Sequence, residues 1–397
     1  MLKLFLTLFS RGSILLLFFF LNACSPSSLH KKQELIAVSY ENLSGWNQED
    51  YVQSFSLFSQ VCQRFIQMNP NTYLGGPSSK YGTKIGDWLP ACHASKWVAA
   101  NNSSQIKSFF ENWLQPYSYP LMYHGKVTGY YEPEIEGSLV KYGPYTIPVY
   151  KKPSNLIAYR QTDGRINYGY YKNNKIYPYY TREQINDGAL EGENLELVWL
   201  KNPIDLFFMQ IQGSGRVVLP DGQIIHLGYA GKNGQPYTAI GTVLVQKNIM
   251  SSQLVNMSSL KSWLNTHRDQ AKFIMNQNKN YVFFRRLENQ INAYQGPIGS
   301  FGMFLNAGRS VAVDHDWIPM GIPLWLETTL PLPSDFKRHP WTHMVFAQDL
   351  GGNIRGPSRI DLFTGWGRTA EWLAGSMNEK AQIFMFLPKY PSRIEKN

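Results

Sequence analysis

The chain has 397 residues, 43% of them hydrophobic, and carries 38 Lys and Arg against 28 Asp and Glu for a formal charge of +10. That length is ample for a large core and fits two domains better than one; no solenoid-period repeat or long low-complexity tract interrupts it. The basic excess is spread out, not gathered into an arm, which argues against nucleic acid and for an anionic surface such as lipid headgroups or cell-wall carboxylates.

Residues 1–23 read as a targeting segment. Lys3 and Arg11 supply positive charge, and residues 14–21 form an unbroken apolar run of eight. That run is too short for a comfortable membrane span and fits the apolar region of an export signal. The ending Leu21-Asn22-Ala23-Cys24 resembles a bacterial lipobox, which implies cleavage before Cys24 and acylation of its thiol. The alternative is an uncleaved N-terminal anchor. Either way the globular part lies outside the cytoplasm on a membrane tether, and Ser25 after the cysteine favours the outer membrane, facing the periplasm. Cleavage would take the charge from +10 to +8. Residues 24–48 are polar and read as the tether.

Beyond Cys24 only Cys62 and Cys92 remain. An oxidising compartment permits a bridge between them, and two buried free thiols remain the alternative. No CxxC or Cys/His spacing suggests a metal, and no cofactor is called for.

Two helices open the mature region. Over residues 50–68, Val52, Phe55, Phe58, Val61, Cys62, Phe65 and Ile66 recur at helical spacing. Over residues 103–114, Ile106, Phe109, Phe110, Trp113 and Leu114 do the same behind a serine cap. Both stripes read as core faces. From residue 121 the chain turns β-rich, with short strands expected in residues 122–138, 145–153, 166–180 and 195–200, separated by Gly, Pro and Asn. Residues 207–231 read as strand, turn at Pro220-Asp221-Gly222, strand. A helical interlude spans about residues 251–275. Strands resume at residues 281–287 and continue to the terminus, broken by a short helix near residues 369–374. Strands in such number argue for a barrel or sandwich.

The chemistry concentrates near the C-terminus. Residues 311–325 (VAVDHDWIPMGIPLW) and 347–363 (AQDLGGNIRGPSRIDLF) hold three aspartates, Asp314, Asp349 and Asp361, in strand-like pieces punctuated by Gly and Pro. Asp349 and Asp361 stand twelve residues apart across a Gly-rich segment, a spacing that can return two carboxylates to one place. An aspartate with a pKa of roughly 3.9 is ionised at neutral pH. Raised by burial or a like charge, it becomes a proton donor, as cleavage of a glycosidic bond requires. The plainer reading makes both aspartates turn or capping residues beside Gly351, Gly352 and Gly356. With 11 Trp, 24 Tyr and 22 Phe, the composition raises a sugar ligand modestly, since most rings serve a core. Other motifs fade. GGNIRG lacks the Lys-Ser/Thr ending of a phosphate loop, Ser214 sits in an incomplete nucleophile elbow, and the eight His show no paired ligand spacing.

Five pieces carry a family resemblance: TGYYEP (128–133), FFMQIQGSGR (207–216), GYAGKNGQPY (228–237), VAVDHDWIPMGIPLW (311–325) and QDLGGNIRGPSRIDLF (348–363). In that order, behind a lipobox, they resemble the membrane-bound lytic murein transglycosylase A family from about residue 120 onward. The resemblance implies a mainly β protein with flanking helices, in which residues 49–132 plus 290–397 form a double-psi β-barrel. Residues 133–289 would form an inserted second β domain, with a groove between the two for a glycan strand. It implies non-hydrolytic cleavage of the β-1,4 bond from N-acetylmuramic acid to N-acetylglucosamine, ending in a 1,6-anhydro sugar. The catalytic acid/base falls on Asp361 and its supporting partner on Asp349. Thr128, Tyr130, Tyr131, Gln210, Gln212 and Ser214 fall along the groove, and Asp314 is structural. The implied partners are peptidoglycan strands and outer-membrane lipid through Cys24, with murein-synthesis complexes as further candidates. One departure is WGRTAEWLAG (366–375), where a Pro is expected near Arg368. The alternatives are an inverting hydrolase on the same scaffold, with Asp349 activating water, and a non-catalytic peptidoglycan-binding lipoprotein.

Overall fold

The computed structural model describes residues 35–389 apart from 78, 80, 120–124, 161–165, 288–294, 336 and 353. The expected export signal, Cys24 and the first part of the tether lie outside the described residues. The described chain opens with a short strand, β1 (Ile36–Ala37), followed by helices α1 (Tyr51–Gln67), α2 (Ile85–Ser95) and α3 (Ser103–Trp113).

Helix α1 starts where the Asp50 carboxylate accepts from the Gln53 amide at 3.0 Å, satisfying one of the unpaired N–H groups of the first turn. Its buried stripe is Tyr51, Phe55, Phe58, Val61, Cys62 and Phe65 with Leu57. Val52 and Ile66, expected in that stripe, lie beyond its edges and are 40% and 41% exposed. Helix α3 is capped by Asn102, not by a serine: its side-chain oxygen accepts from the Gln105 amide at 3.1 Å. Leu114 leaves that helix to begin β2 (Leu114–Ser118). Helix α2 has no clear stripe in the sequence because Gly86 and Pro90 interrupt it, yet it buries Ile85, Trp88, Ala91 and Cys92. The open cysteine question is resolved here: Cys62 and Cys92 form a disulfide that ties α1 to α2.

Six strands then close a barrel. They are β3 (Gly125–Glu132), β13 (Ser310–Val313), β14 (Pro323–Pro331), β15 (Arg338–Leu350), β16 (Arg359–Trp366) and β17 (Asn378–Pro388). The ring runs β17–β14–β15–β13–β16–β3, and β3 pairs back onto β17. Two of the pairings, β13–β15 and β16–β3, are parallel, and the others are antiparallel. Alternate residues point inward, so Val127, Val311, Leu324, Val345, Ile360, Leu362 and Met385 fill the interior with no more than 1% exposure. Each such aliphatic side chain contributes about 1.5–3 kcal/mol by leaving water. Helix α9 (Gly367–Ser376), the short helix expected near residues 369–374, packs against β3 and β16.

Between β3 and β13 the chain builds a second β unit. Strands β4 (Glu134–Ser138), β5 (Ile147–Tyr150), β9 (Glu196–Leu200), β10 (Ser214–Val218), β11 (Ile224–Lys232) and β12 (Val282–Arg286) lie in the order β12–β11–β10–β4–β9–β5. A bridge from Lys151 to Phe284 returns the end of β5 to β12. A three-stranded sheet, β6 (Leu156–Arg160), β7 (Ile166–Lys172) and β8 (Lys175–Pro178), stands beside it.

Helices are interleaved here: α4 (Arg182–Asn186), α5 (Pro203–Gln212) and α6 (Ile240–Gln246), which were not expected, and α7 (Met257–Thr266) and α8 (Arg268–Asn276), which fill the helical interlude expected over about residues 251–275. Residues 207–212, read above as strand, are helical. Asn202 caps α5 by accepting from the Ile204 amide, Pro203 occupies its first position, and Gly213 at φ 83° ends it. Those are the start and stop signals of a helix, and they outweigh β-favouring phenylalanines. The hairpin itself holds from Ser214, with β10 and β11 turning through Gly222 at φ 85°. No described helix is long and apolar enough to cross a membrane.

Candidate active site

Five strands of the barrel bring one residue each into a single cross-strand row. Ala312 of β13 is in register with Asp349 of β15 on one side and Asp361 of β16 on the other. Asp361 is in turn in register with Thr128 of β3, and Thr128 with Asn378 of β17. Registered residues share a face, and neighbouring strands lie about 4.8 Å apart, so the two aspartates flank Ala312 with their Cα atoms about 10 Å from each other. A methyl is all that stands between them. The row depends on a bulge: β13 steps from Ala347 to Asp349 between Val311 and Ala312, leaving Gln348 out of the ladder. Without that extra residue Asp349 would point to the opposite face.

Asp361 is half-buried. Thr128 Oγ1 donates to its Oδ1 at 2.6 Å, and Arg359 Nη2 donates to Thr128 Oγ1 at 2.7 Å. Burial pushes the Asp361 carboxyl up to about 6, with the Asp349 charge adding to the rise and Thr128 and Arg359 opposing it. Burial outweighs the stabilising partners, so a protonated fraction of roughly a tenth persists at neutrality, against about a thousandth for an ordinary aspartate.

Asp349 is held quite differently. Its Oδ1 accepts from the Ser300 amide at 2.9 Å, the Ser300 hydroxyl at 2.7 Å and the Leu350 amide at 2.9 Å. Its Oδ2 accepts from the Tyr130 hydroxyl at 3.0 Å. Burial, then the Asp349 charge, raises the Tyr130 hydroxyl well above its ordinary range, so it stays a proton donor. Phe363 packs against its ring, with centroids 5.3 Å apart. One carboxyl is thus primed to give a proton, and the other is saturated with donors.

The face of this row runs toward the insert. Glu132, at the end of β3, is fully buried and receives Arg216 Nε at 2.7 Å. The Arg216 guanidinium lies 3.9 Å from the centre of the Trp366 ring, so one arginine of the insert grips two barrel strands. His226 Nδ1 stands 3.9 Å from Glu132 Oε1. A second tie joins the Tyr131 hydroxyl to Glu371 of α9 at 3.0 Å, with Lys261 of α7 donating to that hydroxyl at 3.2 Å.

The expected residues therefore separate. Thr128 and Tyr130 join the two aspartates directly. Tyr131 is buried, and its amide donates to Gln212 Oε1 at 3.1 Å, which puts both at the junction of barrel and insert. Gln210 does not reach a surface. It is 4% exposed inside the insert, where its oxygen accepts from Arg182 and its nitrogen donates to the Val282 carbonyl. Ser214 is buried at the start of β10. Asp314 accepts from the Gly356 amide at 2.8 Å and the Asp316 amide at 3.2 Å, pinning the loop that precedes β16. Ala312, Arg359 and Ser300 join the site without having been singled out. Arg359 sits two residues before Asp361 on one strand, so period-2 alternation alone places them on one face. Among the described residues no group of three or more His, Cys, Asp or Glu is arranged to hold a metal.

Fold and site together define a β protein whose closed barrel carries a pair of aspartates, one half-buried and raised, the other held by four donors. The chain belongs to the membrane-bound lytic murein transglycosylase A (MltA) family. The family model of the MltA specific insert domain matches residues 126–285, and that of the 3D domain matches residues 309–387. The membrane-bound lytic murein transglycosylase A homolog of Buchnera aphidicola is 31% identical over 257 residues, covering 64% of this chain and 63% of that protein. The chain thus spans just under two thirds of that curated relative. The crystal structure of the membrane-bound lytic murein transglycosylase from Agrobacterium tumefaciens is similar with a TM-score of 0.79 and 28% identity, over 90% of this chain and 98% of that one. The lytic transglycosylase LtgG of Burkholderia pseudomallei is 31% identical, with a TM-score of 0.56, over 89% of this chain and 95% of that one.

Proposed function

We propose that this chain is a lytic transglycosylase of peptidoglycan, cleaving the β-1,4 bond from N-acetylmuramic acid to N-acetylglucosamine without water. The observation that carries the reading is the asymmetry of the two aspartates: Asp361 is raised to about 6, and Asp349 is saturated with donors. A lytic transglycosylase needs one titrating carboxyl, because the sugar's own C6 hydroxyl is the nucleophile. Asp361 gives its proton to the glycosidic oxygen as the C1–O bond breaks. The carboxylate so formed takes the C6 hydroxyl proton as O6 closes on C1, which returns the acid form. Holding O6 against C1 exploits intramolecularity, and excluding water keeps hydrolysis from competing. Asp349 fixes Ser300 and Tyr130 around the site and holds the Asp361 carboxyl high through its charge.

The glycan strand would lie in a groove between the barrel, residues 49–132 plus 290–397, and the insert, residues 133–289, passing Thr128, Tyr130 and Gln212. Gln210 and Ser214 support that wall from within. Export and acylation at Cys24 would hold the enzyme on the outer membrane facing the periplasm, within reach of peptidoglycan and of murein-synthesis complexes.

An inverting hydrolase needs Asp349 as a base for water, and four donors already engage it, so the anhydro route is favoured. A purely binding lipoprotein gives no reason to hold an aspartate at about 6. Mass spectrometry of fragments released from purified murein tests the proposal. Anhydro-muramyl ends are expected; reducing ends, or no cleavage, would overturn it.

A further inference from the structure

A cavity of about 400 Å³ lies in the insert, walled by β5, α4, α5 and α8. Ligand pockets start at roughly 300 Å³, so it is large enough for a few residues of peptide. Its most unusual lining residue is Arg182, which is 3% exposed. The guanidinium donates to the Asn278 and Asn280 carbonyls at 2.9 and 2.7 Å and to the Gln210 amide oxygen, and it stacks 4.7 Å from the centre of Phe207. Every one of those acceptors is neutral. Burying an arginine without an opposing carboxylate is costly, and that cost is relieved when an anion arrives.

The rim has the matching charge. Arg268 and Lys272 stand on α8 at the edge of the cavity; Lys272 is already paired with Asp187 at 2.6 Å, and Arg268 is exposed. Among the lining residues Glu191 is the one carboxylate. Ile204, Met275 and the Phe207 ring supply apolar wall, so the cavity suits a carboxylate on an organic body more than a bare inorganic anion. One wall is β5, which among the described residues pairs in a ladder with β9 alone and meets β12 in a single bridge just past its end, at Lys151. Short of that bridge its other side offers a strand edge to an extended chain. Burial holds the Arg182 guanidinium down at about 10, in keeping with a charge that lacks an opposite number.

We propose that this cavity binds the carboxylate end of a short peptide laid along β5. If the substrate reading above is right, the peptide is the side branch carried by the glycan strand. That identity rests on the proposed function, whereas the site itself does not. Helix α5 connects the two places: its first turn lines the cavity, and its last residue, Gln212, meets Tyr131 beside the barrel. Ten helical residues span about 15 Å, so a branch bound here belongs to a strand held across the junction.

The test is calorimetry on the full chain with the tetrapeptide Ala-Glu-Lys-Ala, as free acid and with both carboxyls amidated. The free acid is expected to bind saturably and the amidated form about tenfold more weakly or worse, a difference of about 1.4 kcal/mol. R268E, which reverses a rim charge, and T146W, which crowds the exposed mouth, should each weaken the free acid by about tenfold. Equal binding of the two peptide forms, or parent-like binding by both variants, would overturn the site. Cleavage assays then separate the two readings. Parent enzyme should show a lower KM on peptide-bearing than on peptide-stripped murein, and T146W should abolish that difference at unchanged kcat. Cleavage without any such difference overturns the side-branch identity. Loss of all cleavage by the parent speaks against the proposed reaction, while calorimetry still decides the site.

Discussion

Thr128 Oγ1 donates to Asp361 Oδ1 at 2.6 Å across two parallel strands, and in the same geometry it accepts from Arg359 Nη2 at 2.7 Å. The hydroxyl has one proton, and Arg359 fixes its direction, so that proton is committed to Asp361. The arrangement stabilises the ionised carboxyl, while burial and Asp349 oppose it. The proton affinity of Asp361 is therefore a balance of opposed effects, and each can be removed separately.

Asp361→Asn should retain binding to murein sacculi and lose at least about 1000-fold in cleavage, since general acid/base contributions run to roughly 10²–10⁴ and no other titrating group serves here. Parent-like turnover would remove Asp361 from the mechanism. The same variant has a stability signature. The folded-state pKa of about 6 lies above the unfolded value of 3.8, so Asp361 favours folding while protonated. That contribution is complete below pH 3.8 and is lost as pH rises through 6. At pH 7.5 the ionised carboxyl costs up to about 3 kcal/mol, and Asn removes that cost. The melting temperature of the variant should exceed that of the parent at pH 7.5, and the gap should close by pH 4.

Substitutions on the two sides of Asp361 should move the pH–rate profile in opposite directions. In the parent, kcat/KM should fall with rising pH around 6 as the acid form is lost. T128V or R359Q removes a group that favours the carboxylate and should shift that limb upward by about 0.5–1 unit. D349N removes a like charge and should shift it downward by a similar amount. A limb that moves the same way in all three variants would contradict the balance described.

Ala312→Leu tests the spacer. The residue is 4% exposed and separates Asp349 from Asp361 in the row, so a larger side chain both overpacks the barrel and pushes the carboxylates apart. A stability loss of about 1–3 kcal/mol is expected from the packing. At a temperature where the variant is fully folded, kcat should still fall at least about tenfold with glycan affinity little changed. Parent-like kcat in the folded variant would mean that the spacing is not critical.

Arg216→Ala should be among the most damaging single changes away from the acid. It strands the Glu132 carboxylate, which is fully buried and, among the described residues, is otherwise approached by the His226 ring at 3.9 Å. Removing one member of such a pair costs about 3–5 kcal/mol, measurable by urea unfolding. The double variant R216M/E132Q should recover much of the loss, because neither charge is then left buried alone. If it is no more stable than the single variant, packing on Trp366 and not charge accounts for the effect.

Much of this architecture was legible in the sequence where local signals agree with tertiary fate. The stripes of α1 and α3, the Pro220-Asp221-Gly222 turn and the helix near residues 369–374 are cases of this. Residues 207–212 misled because phenylalanine-rich text suggests a strand, although Asn202-Pro203 and Gly213 mark both ends of a helix. The aspartate pair was found for an incomplete reason. Twelve residues suggested a tight return, but β13 lies between β15 and β16, and the carboxylates meet over Ala312. The strand-like text of β13 was legible, but neither its place between the other two nor the bulge at Gln348 has a local signature. Gln210 shows the converse: a polar residue in a matching motif whose partner, Arg182, comes from a different element.

Thr128 and Asp361 are 233 residues apart along the chain. Strand β3 is made before the whole insert, and the strand that closes the ring on it, β17, ends only at Pro388. During synthesis Thr128 therefore waits through the production of one complete β unit before its acid exists, and longer still before the ring can shut. Contacts this distant in sequence are slow to form, because the intervening loop must first lose its freedom or fold. A chain cut short before β17 carries Thr128, Asp349 and Asp361, but in a barrel left open between β3 and β14. On the proposed function, activity would thereby be tied to closure of the ring, and a copy lacking β17 would be an inert one.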